Sequence, residues 1–222
     1  MFESFRDRTE AGKKLSDALR RLAGDPSLLI LALPRGGVPV AAPVADALNS
    51  PLDVLLVRKI GAPGRPEFAI GAIASGGIRF LDHTTIAELN VSEDWLANQT
   101  QKEQAELERR LKAYRGDHPF PALSGRTVVL VDDGLATGST MIAAARAVRQ
   151  RQPKRLIVAV PVAPADLNPA LRDAVDELVV LHQPDDFRAV GRFYRNFNQT
   201  SDEEVKRLLE FYRNHNASQA AQ

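Results

Sequence analysis

Short aliphatic segments alternate along this chain with longer segments of helical periodicity. The aliphatic segments are residues 28–33, 52–57, 68–74, 126–131, 156–160 and 177–181, and the helical ones are residues 9–22, 38–48, 92–114, 139–149 and 165–174. Several aliphatic segments are apolar at consecutive positions, as is typical of strands that a parallel sheet buries on both faces. The alternation predicts an α/β fold with a doubly wound, mostly parallel sheet flanked by helices.

The length and composition fit a single domain. Of the 222 residues, 44% are hydrophobic, which is enough for one sizeable core, and no repeat or convincing linker divides the chain. We therefore expect residues 1–222 to form one domain, with a long inserted helix at 92–114 and a small C-terminal addition at about 183–214 that ends in a helix at 205–214. Gly76 and Gly77 predict a tight turn between two strands.

The charge balance and the lack of cysteine exclude several functions. A net charge of +1 gives no general attraction to nucleic acid or to an anionic membrane surface, so local groups must hold any bound anion. The absence of cysteine excludes thiolate metal sites and cysteine nucleophiles. The N-terminus lacks an apolar signal core, and no apolar run approaches the roughly 20 residues that span a bilayer. We expect a cytoplasmic protein that binds neither nucleic acid nor membrane.

One segment places acidic residues, small residues and a helix N-terminus together. A buried strand at 128–131 leads directly into Asp132, Asp133, Gly134, Leu135, Ala136, Thr137, Gly138, Ser139 and Thr140, and a helix follows. The carboxylates therefore lie at the carboxyl end of a parallel strand, where open α/β sheets bind ligands. The loop amides, the hydroxyl groups and the positive end of the helix dipole form an anion cradle. A sugar phosphate with a cis-diol would use both halves of this segment.

The segment VVLVDDGLATGST resembles the signature of type I phosphoribosyltransferases, in which aliphatic and acidic residues precede a small-residue phosphate loop. The resemblance implies that Asp132 and Asp133 hold the ribose hydroxyls of 5-phosphoribosyl-1-pyrophosphate, and that Ala136 to Thr140 hold its 5-phosphate. We expect both carboxylates to be exposed at the strand end and to repel each other in the empty protein.

Two further segments fit the same resemblance. Arg35, Gly36 and Gly37 follow the first strand, and the loop at this place in the family grips the pyrophosphate leaving group. Arg58 and Lys59 end the next strand and open into a Gly/Pro-rich stretch at 61–67, about where the family carries a mobile loop that closes over the site. A turn and an incidental basic surface loop are the structural alternatives for these two segments.

The resemblance implies a reaction without a covalent nucleophile. Departure of pyrophosphate leaves positive charge on the ribose, and Arg35, loop amides and Mg²⁺ would stabilise the departing negative charge. Pyrophosphate and ribose oxygens and water would hold most of the magnesium coordination sphere, with Asp132 and Asp133 close by.

The acceptor would be a small nitrogenous base. Residues 183–194 resemble the base-covering segment of purine phosphoribosyltransferases, in which an aromatic residue stacks on the base, and Phe187 is the candidate, with a core anchor as its alternative. Hypoxanthine-guanine enzymes carry an aspartate where this chain has Ala136, and a lysine in the stretch that is Val160 to Pro164 here. The sequence therefore favours adenine or another base over 6-oxopurines.

Other interpretations remain open at this stage. A regulator could sense phosphoribosyl pyrophosphate with the same residues and without turnover. A phospho-acceptor receiver domain also uses acidic residues at strand ends, but its acidic pair lies near the N-terminus and needs no Ala-Thr-Gly-Ser-Thr loop. The charges of the 92–114 helix are mixed in sign, which favours a solvated structural face or an oligomer contact, with a homodimer as the candidate assembly.

Overall fold

The computed structural model describes residues 4–220, without the side chains of Glu67 and residues 214–220. In chain order the strands are β1 (Leu28–Ala32), β2 (Leu52–Val54), β3 (Val57–Ala62), β4 (Arg65–Ala74), β5 (Ile78–Leu81), β6 (Thr127–Val131), β7 (Arg155–Val162) and β8 (Glu177–His182). The α-helices are α1 (Arg8–Leu19), α2 (Gly37–Leu48), α3 (His83–Glu88), α4 (Glu93–Arg115), α5 (Ser139–Arg149), α6 (Pro169–Ala174) and α7 (Asp202–Ala220). Short 3₁₀ turns lie at Arg20–Leu22 and Val190–Phe193.

The central sheet is parallel, and its strand order is β2-β1-β6-β7-β8. The prediction of a mostly parallel α/β sheet flanked by helices is therefore confirmed. The chain runs outward from β1 to β2 and later resumes at β6 on the other side of β1. The loops after β1 and β6 thus open side by side at a topological switch point, the usual ligand site in sheets of this kind.

Both faces of the central sheet are covered by helices. Successive side chains of a strand point to opposite faces, so Leu28 and Ile30 join the buried cluster that includes α1 and α2. Leu29 and Leu31 join the cluster on the α5 side. This two-sided burial explains why the strands are apolar at consecutive positions.

A separate antiparallel sheet, β3-β4-β5, corrects two predictions. The single strand predicted at 52–57 is wrong, because pairing with β1 ends at Val54 and a new sheet begins at Val57. The loop predicted at 61–67 is also wrong, because Ala62 pairs with Arg65 across a tight hairpin. Such turns favour proline at their second position and glycine at their third, where φ is positive. Gly64 occupies the third position and has a φ of 69°.

Most helix predictions are confirmed, with two differences in length. Helix α5 has the predicted bounds, and the predicted turn at 76–77 joins β4 to β5. The helix predicted at 165–174 begins only at Pro169, where the side chain of Asn168 accepts from the amide of Ala170 at 3.0 Å. A helix favours proline in its first turn, which explains the late start. The last helix, predicted at 205–214, extends over α7.

Candidate active site

The loop that follows β1 lies against the acidic pair that follows β6. A Cβ atom at Gly36 would overlap Asp133 Oδ2, and one at Gly37 would lie 2.6 Å from the carbonyl oxygen of Val131. Glycine is therefore needed at both positions because the two loops approach so closely. The structure brings together two segments that are about a hundred residues apart in the sequence and were predicted to share one ligand.

The acidic pair is largely buried, which contradicts our expectation of exposed carboxylates. The side chain of Asp133 is 15% exposed. Burial raises the pKa of Asp132 well above its usual range, and the adjacent Asp133 carboxylate raises it further. Burial also raises the pKa of Asp133, while Arg8 opposes that change. The predicted repulsion is thus present, but one member of the pair has a cationic partner.

That partner, Arg8, comes from the first turn of α1. Its Nε and Nη2 atoms each lie 2.8 Å from Asp133 Oδ2, and its side chain is 11% exposed. Its Nη1 donates to the carbonyl oxygen of Asn198 at 2.7 Å, and its guanidinium carbon lies 3.9 Å from the ring centroid of Phe197. The hydroxyl of Tyr194 donates to the Asp133 carbonyl at 2.6 Å. N-terminal and C-terminal residues therefore both hold the acidic pair.

The small-residue loop leads into α5 as predicted. Gly138 has a φ of 73° and caps the helix, a backbone conformation that favours glycine. The amide of Ser139 donates to Thr137 Oγ1 at 3.3 Å, and the amide of Leu135 donates to the Val162 carbonyl at 2.9 Å. A Cβ at Gly134 would come within 2.6 Å of Val190. The loop is thus tied to β7 at its start and ends at a helix N-terminus.

A cleft of about 330 Å³ opens beside these loops. Its lining includes four of the predicted site residues, Arg35, Arg58, Asp132 and Thr140. Lys59 lies next to the same region, since its Nζ is 3.5 Å from Ser139 Oγ. The structure therefore places both predicted cationic segments beside the phosphate loop.

Helices α4 and α7 supply cleft residues that sequence reasoning missed, among them Arg109, Arg110, Tyr114 and Asp202. We had interpreted α4 as a solvated or oligomer-contact helix because its charges alternate in sign. Its helical spacing places Arg110 and Tyr114 on one face, but the sequence gives no sign that this face meets the loop after β1.

The arginines of the cleft have carboxylate partners in the protein. Arg58 contacts Glu103 Oε2 through Nε at 2.7 Å and Nη2 at 2.6 Å. Arg109 and Arg110 share Glu106, at 2.9 Å and 2.6 Å.

The remaining cleft arginine, Arg35, lies 3.6 Å from Asp202 Oδ1, which also accepts from the hydroxyl of Tyr114 at 2.5 Å. Burial and this hydrogen bond raise the pKa of Tyr114 to about 12, so the hydroxyl keeps its proton at neutral pH.

Phe187 does not line the cleft. Its ring stacks on Phe193 with centroids 5.5 Å apart and an interplanar angle of 16°, and both rings are partly buried against a cluster that contains Val162 and Tyr194. The contact of Val190 with Gly134 connects this segment to the start of the phosphate loop. Phe187 thus packs near the acidic loop, with one face already covered by another aromatic ring.

Among the side chains that the structure describes, which do not include those of Glu67 and residues 214–220, no group of three or more His, Asp or Glu residues is arranged to hold a metal ion. None of the helices within residues 4–220 combines the length and apolar character needed to cross a bilayer.

The central parallel sheet, with the acidic pair and the glycine loop side by side at its switch point, has the type I phosphoribosyltransferase fold. The family model described as "Phosphoribosyl transferase domain" matches residues 6–198, and the chain belongs to that family.

Similar proteins carry the same class name or the same fold. The Mycobacterium tuberculosis protein "Putative phosphoribosyl transferase Rv0571c" is 42% identical over 206 residues, which are 93% of this chain and 46% of that protein. The chain therefore spans about half the length of this curated relative. The crystal structure of TT1426 from Thermus thermophilus has a TM-score of 0.87 and 44% identity, and the match covers 94% of this chain and 99% of TT1426.

Proposed function

We propose that this chain transfers the 5-phosphoribosyl group of phosphoribosyl pyrophosphate to a nitrogenous base and releases pyrophosphate. The main support is that an acidic pair, a helix N-terminus and Arg35 converge at one edge of the sheet. Few ligands need hydroxyl acceptors, a phosphate cradle and a further cation within one cleft, and an activated ribose phosphate is such a ligand.

Each part of the substrate has a proposed partner. Asp132 and Asp133 accept the ribose hydroxyls, and the amides and hydroxyls of residues 136–140 hold the 5-phosphate at the N-terminus of α5. Arg35, with the amides of Gly36 and Gly37, holds the pyrophosphate, while Arg58 and Lys59 border it from β3.

The reaction breaks the bond between C1 of the ribose and the pyrophosphate oxygen. The electron pair of that bond leaves with pyrophosphate, a nitrogen of the base forms the new bond to C1, and the proton that this nitrogen carries in the free base is released to water. Arg35 and the loop amides stabilise the charge that develops on the leaving group. Burial of the acidic pair limits the access of water to the ribose.

Magnesium fits the site as an ion brought largely by the substrate. Asp132 Oδ1 accepts from the Asp133 amide at 2.8 Å, and Asp133 Oδ2 binds Arg8. The other oxygen of each carboxylate makes neither of these two contacts. Oxygen donors of this kind suit Mg²⁺, which keeps several waters and takes one or two carboxylates plus phosphate oxygens. When bound, the ion would neutralise charge on the departing pyrophosphate.

The proposed acceptor is adenine or another base rather than hypoxanthine or guanine. Position 136 is alanine, and residues 160–164 at the end of β7 contain no lysine to recognise a 6-oxo group. Phe187 and Phe193 form an aromatic pair beside the loop start and are the proposed contacts for a base.

The test is release of pyrophosphate from phosphoribosyl pyrophosphate in the presence of Mg²⁺ and a panel of bases. We expect turnover with at least one base, little with hypoxanthine or guanine, and none in the Asp132→Asn variant. Tight binding of phosphoribosyl pyrophosphate without turnover of any base would instead support a sensor, the second function that these residues could serve. A protein that neither binds nor turns over the sugar pyrophosphate would refute both. The receiver domain has no support, because the chain belongs to the phosphoribosyl transferase family.

A further inference from the structure

Arg8 holds one oxygen of the acidic pair in a fixed place. Two of its nitrogen atoms, Nε and Nη2, both lie 2.8 Å from Asp133 Oδ2. The third, Nη1, donates to the Asn198 carbonyl at 2.7 Å. A guanidinium is planar and has its donors in a rigid fork, so these contacts together fix the position of Asp133 Oδ2 relative to α1 and the Asn198 carbonyl.

The surroundings of Arg8 keep this fork in position. Phe197 covers one face of the guanidinium, with the ring centroid 3.9 Å from the central carbon. The backbone of Asp133 is fixed independently by the hydroxyl of Tyr194, and the loop at Gly36 leaves no room on the near side of Asp133 Oδ2. The pair therefore lies between α1, the C-terminal segment and both substrate loops.

These contacts leave a specific set of oxygens for a ligand. Among the described residues, the hydrogen bonds to the two carboxylate groups are accepted by Asp133 Oδ2 and Asp132 Oδ1. The two other oxygens, Asp133 Oδ1 and Asp132 Oδ2, remain to accept the two ribose hydroxyls. Without Arg8, Asp133 could rotate about its side-chain bonds, and two buried carboxylates would repel each other more strongly.

We propose that Arg8 is a positioning residue for the ribose site, which fixes Asp133 so that Oδ1 faces a ribose hydroxyl. This inference rests on the proposed function, because it assigns the ribose to the acidic pair. Arg8 is not among the residues that line the cleft beside Arg35, so we expect its effect to be confined to ligands that contain ribose. A purely structural ion pair would affect both halves of the substrate equally or neither.

The test compares Arg8→Ala and Arg8→Lys with the wild type by calorimetric titration of ribose 5-phosphate and, separately, of magnesium pyrophosphate. Arg6→Ala is the matched control, because Arg6 precedes the same helix and pairs with Asp7 on the surface. We expect Arg8→Ala to weaken ribose 5-phosphate by about 10- to 100-fold, the usual effect of losing a group that orients a ligand-binding side chain. Pyrophosphate affinity should change less than about twofold, and the lysine variant should recover part of the lost affinity.

Equal losses for both ligands, or unchanged affinity for ribose 5-phosphate in Arg8→Ala, would overturn the inference. If Arg8→Ala fails to fold, Arg8→Lys decides the question, because it keeps the charge and loses the fork. A selective loss for ribose 5-phosphate then supports positioning, and wild-type affinity refutes it. Failure of the wild type to bind ribose 5-phosphate or phosphoribosyl pyrophosphate would refute the proposed function, whereas tight wild-type binding that survives in both Arg8 variants would refute only the role of Arg8.

Discussion

Neutralising the two adjacent carboxylates one at a time should have different effects on stability and the same effect on ligand binding. Asp133→Asn leaves the cation of Arg8 largely buried without its counter-ion. Removal of one partner of a buried ion pair usually costs about 3–5 kcal/mol. The side chains of Arg8 and Asp133 retain 11% and 15% of their exposure, and asparagine still offers a neutral acceptor. We therefore expect a loss of about 3 kcal/mol, at the lower end of that range.

Asp132→Asn should behave differently because, among the described residues, no cation lies at hydrogen-bond distance from this carboxylate. Burial and the neighbouring Asp133 raise its pKa, so above the unfolded pKa its charge makes the folded state less stable. Removing that charge should leave stability at neutral pH unchanged or increase it by up to about 1 kcal/mol. Both variants should lose affinity for phosphoribosyl pyrophosphate, because each removes a proposed hydroxyl acceptor.

Urea denaturation at pH 7 with a matching thermal scan measures both effects. For a chain of this size, a loss of about 3 kcal/mol corresponds to a decrease in Tm of roughly 6–12 °C. The slope of the unfolding free energy against urea concentration should be the same in all three proteins. Differences between the midpoints of the urea transitions then report differences in stability alone. Equal stabilities of the two variants, or an Asp133→Asn protein as stable as the wild type, would show that the Arg8 ion pair does not stabilise the fold.

Three further substitutions test the assigned contacts. Arg35→Ala should weaken pyrophosphate by about 1.5–3 kcal/mol and ribose 5-phosphate little, as measured by calorimetry, because the proposed contact is with the leaving group; equal losses would place Arg35 elsewhere. Gly36→Ala should reduce ribose 5-phosphate affinity at least tenfold, since its methyl group must displace Asp133, and wild-type affinity would contradict the close packing of the two loops. Phe187→Ala should raise the KM of the acceptor base by an amount equivalent to about 1–3 kcal/mol and leave that of the sugar pyrophosphate unchanged; a variant that unfolds would instead assign Phe187 to the core.

The strand-loop-helix units after β1 and β6 could be predicted from sequence because their signals are local. An apolar run, a change to acidic or small residues and a helix start lie within about fifteen residues, and α5 has the predicted bounds of Ser139–Arg149. Local signals also identified glycine at positions 36 and 37. The reason that only glycine fits there became clear once the second loop was placed beside the first.

The missed features depend on contacts between distant parts of the chain. Arg8 lies 125 residues before its partner Asp133, and nothing in its local sequence distinguishes it from the other arginines of the N-terminal segment. The boundary between β2 and β3 was missed because the aliphatic run continues through Leu55 and Leu56. The strand before these residues pairs with β1, and the strand that begins at Val57 pairs with β4. Arg109 belongs to a helix that the sequence assigns to a solvated face, but it lines the cleft. Helical periodicity shows on which side of a helix a residue lies, and it does not show which other element packs against that side.

The carboxylate partners of the cleft arginines determine how an anion can enter. Three carboxylates, Glu103, Glu106 and Asp202, pair with the four cleft arginines, so much of the positive charge is compensated within the protein and long-range steering of phosphates is reduced. An incoming anion competes with these carboxylates for the guanidinium donors, in a partial exchange of one ion pair for another. A ligand with several charges on one small group competes better in that exchange than a singly charged metabolite. We therefore expect competition with these carboxylates to favour multiply charged anions over singly charged ones.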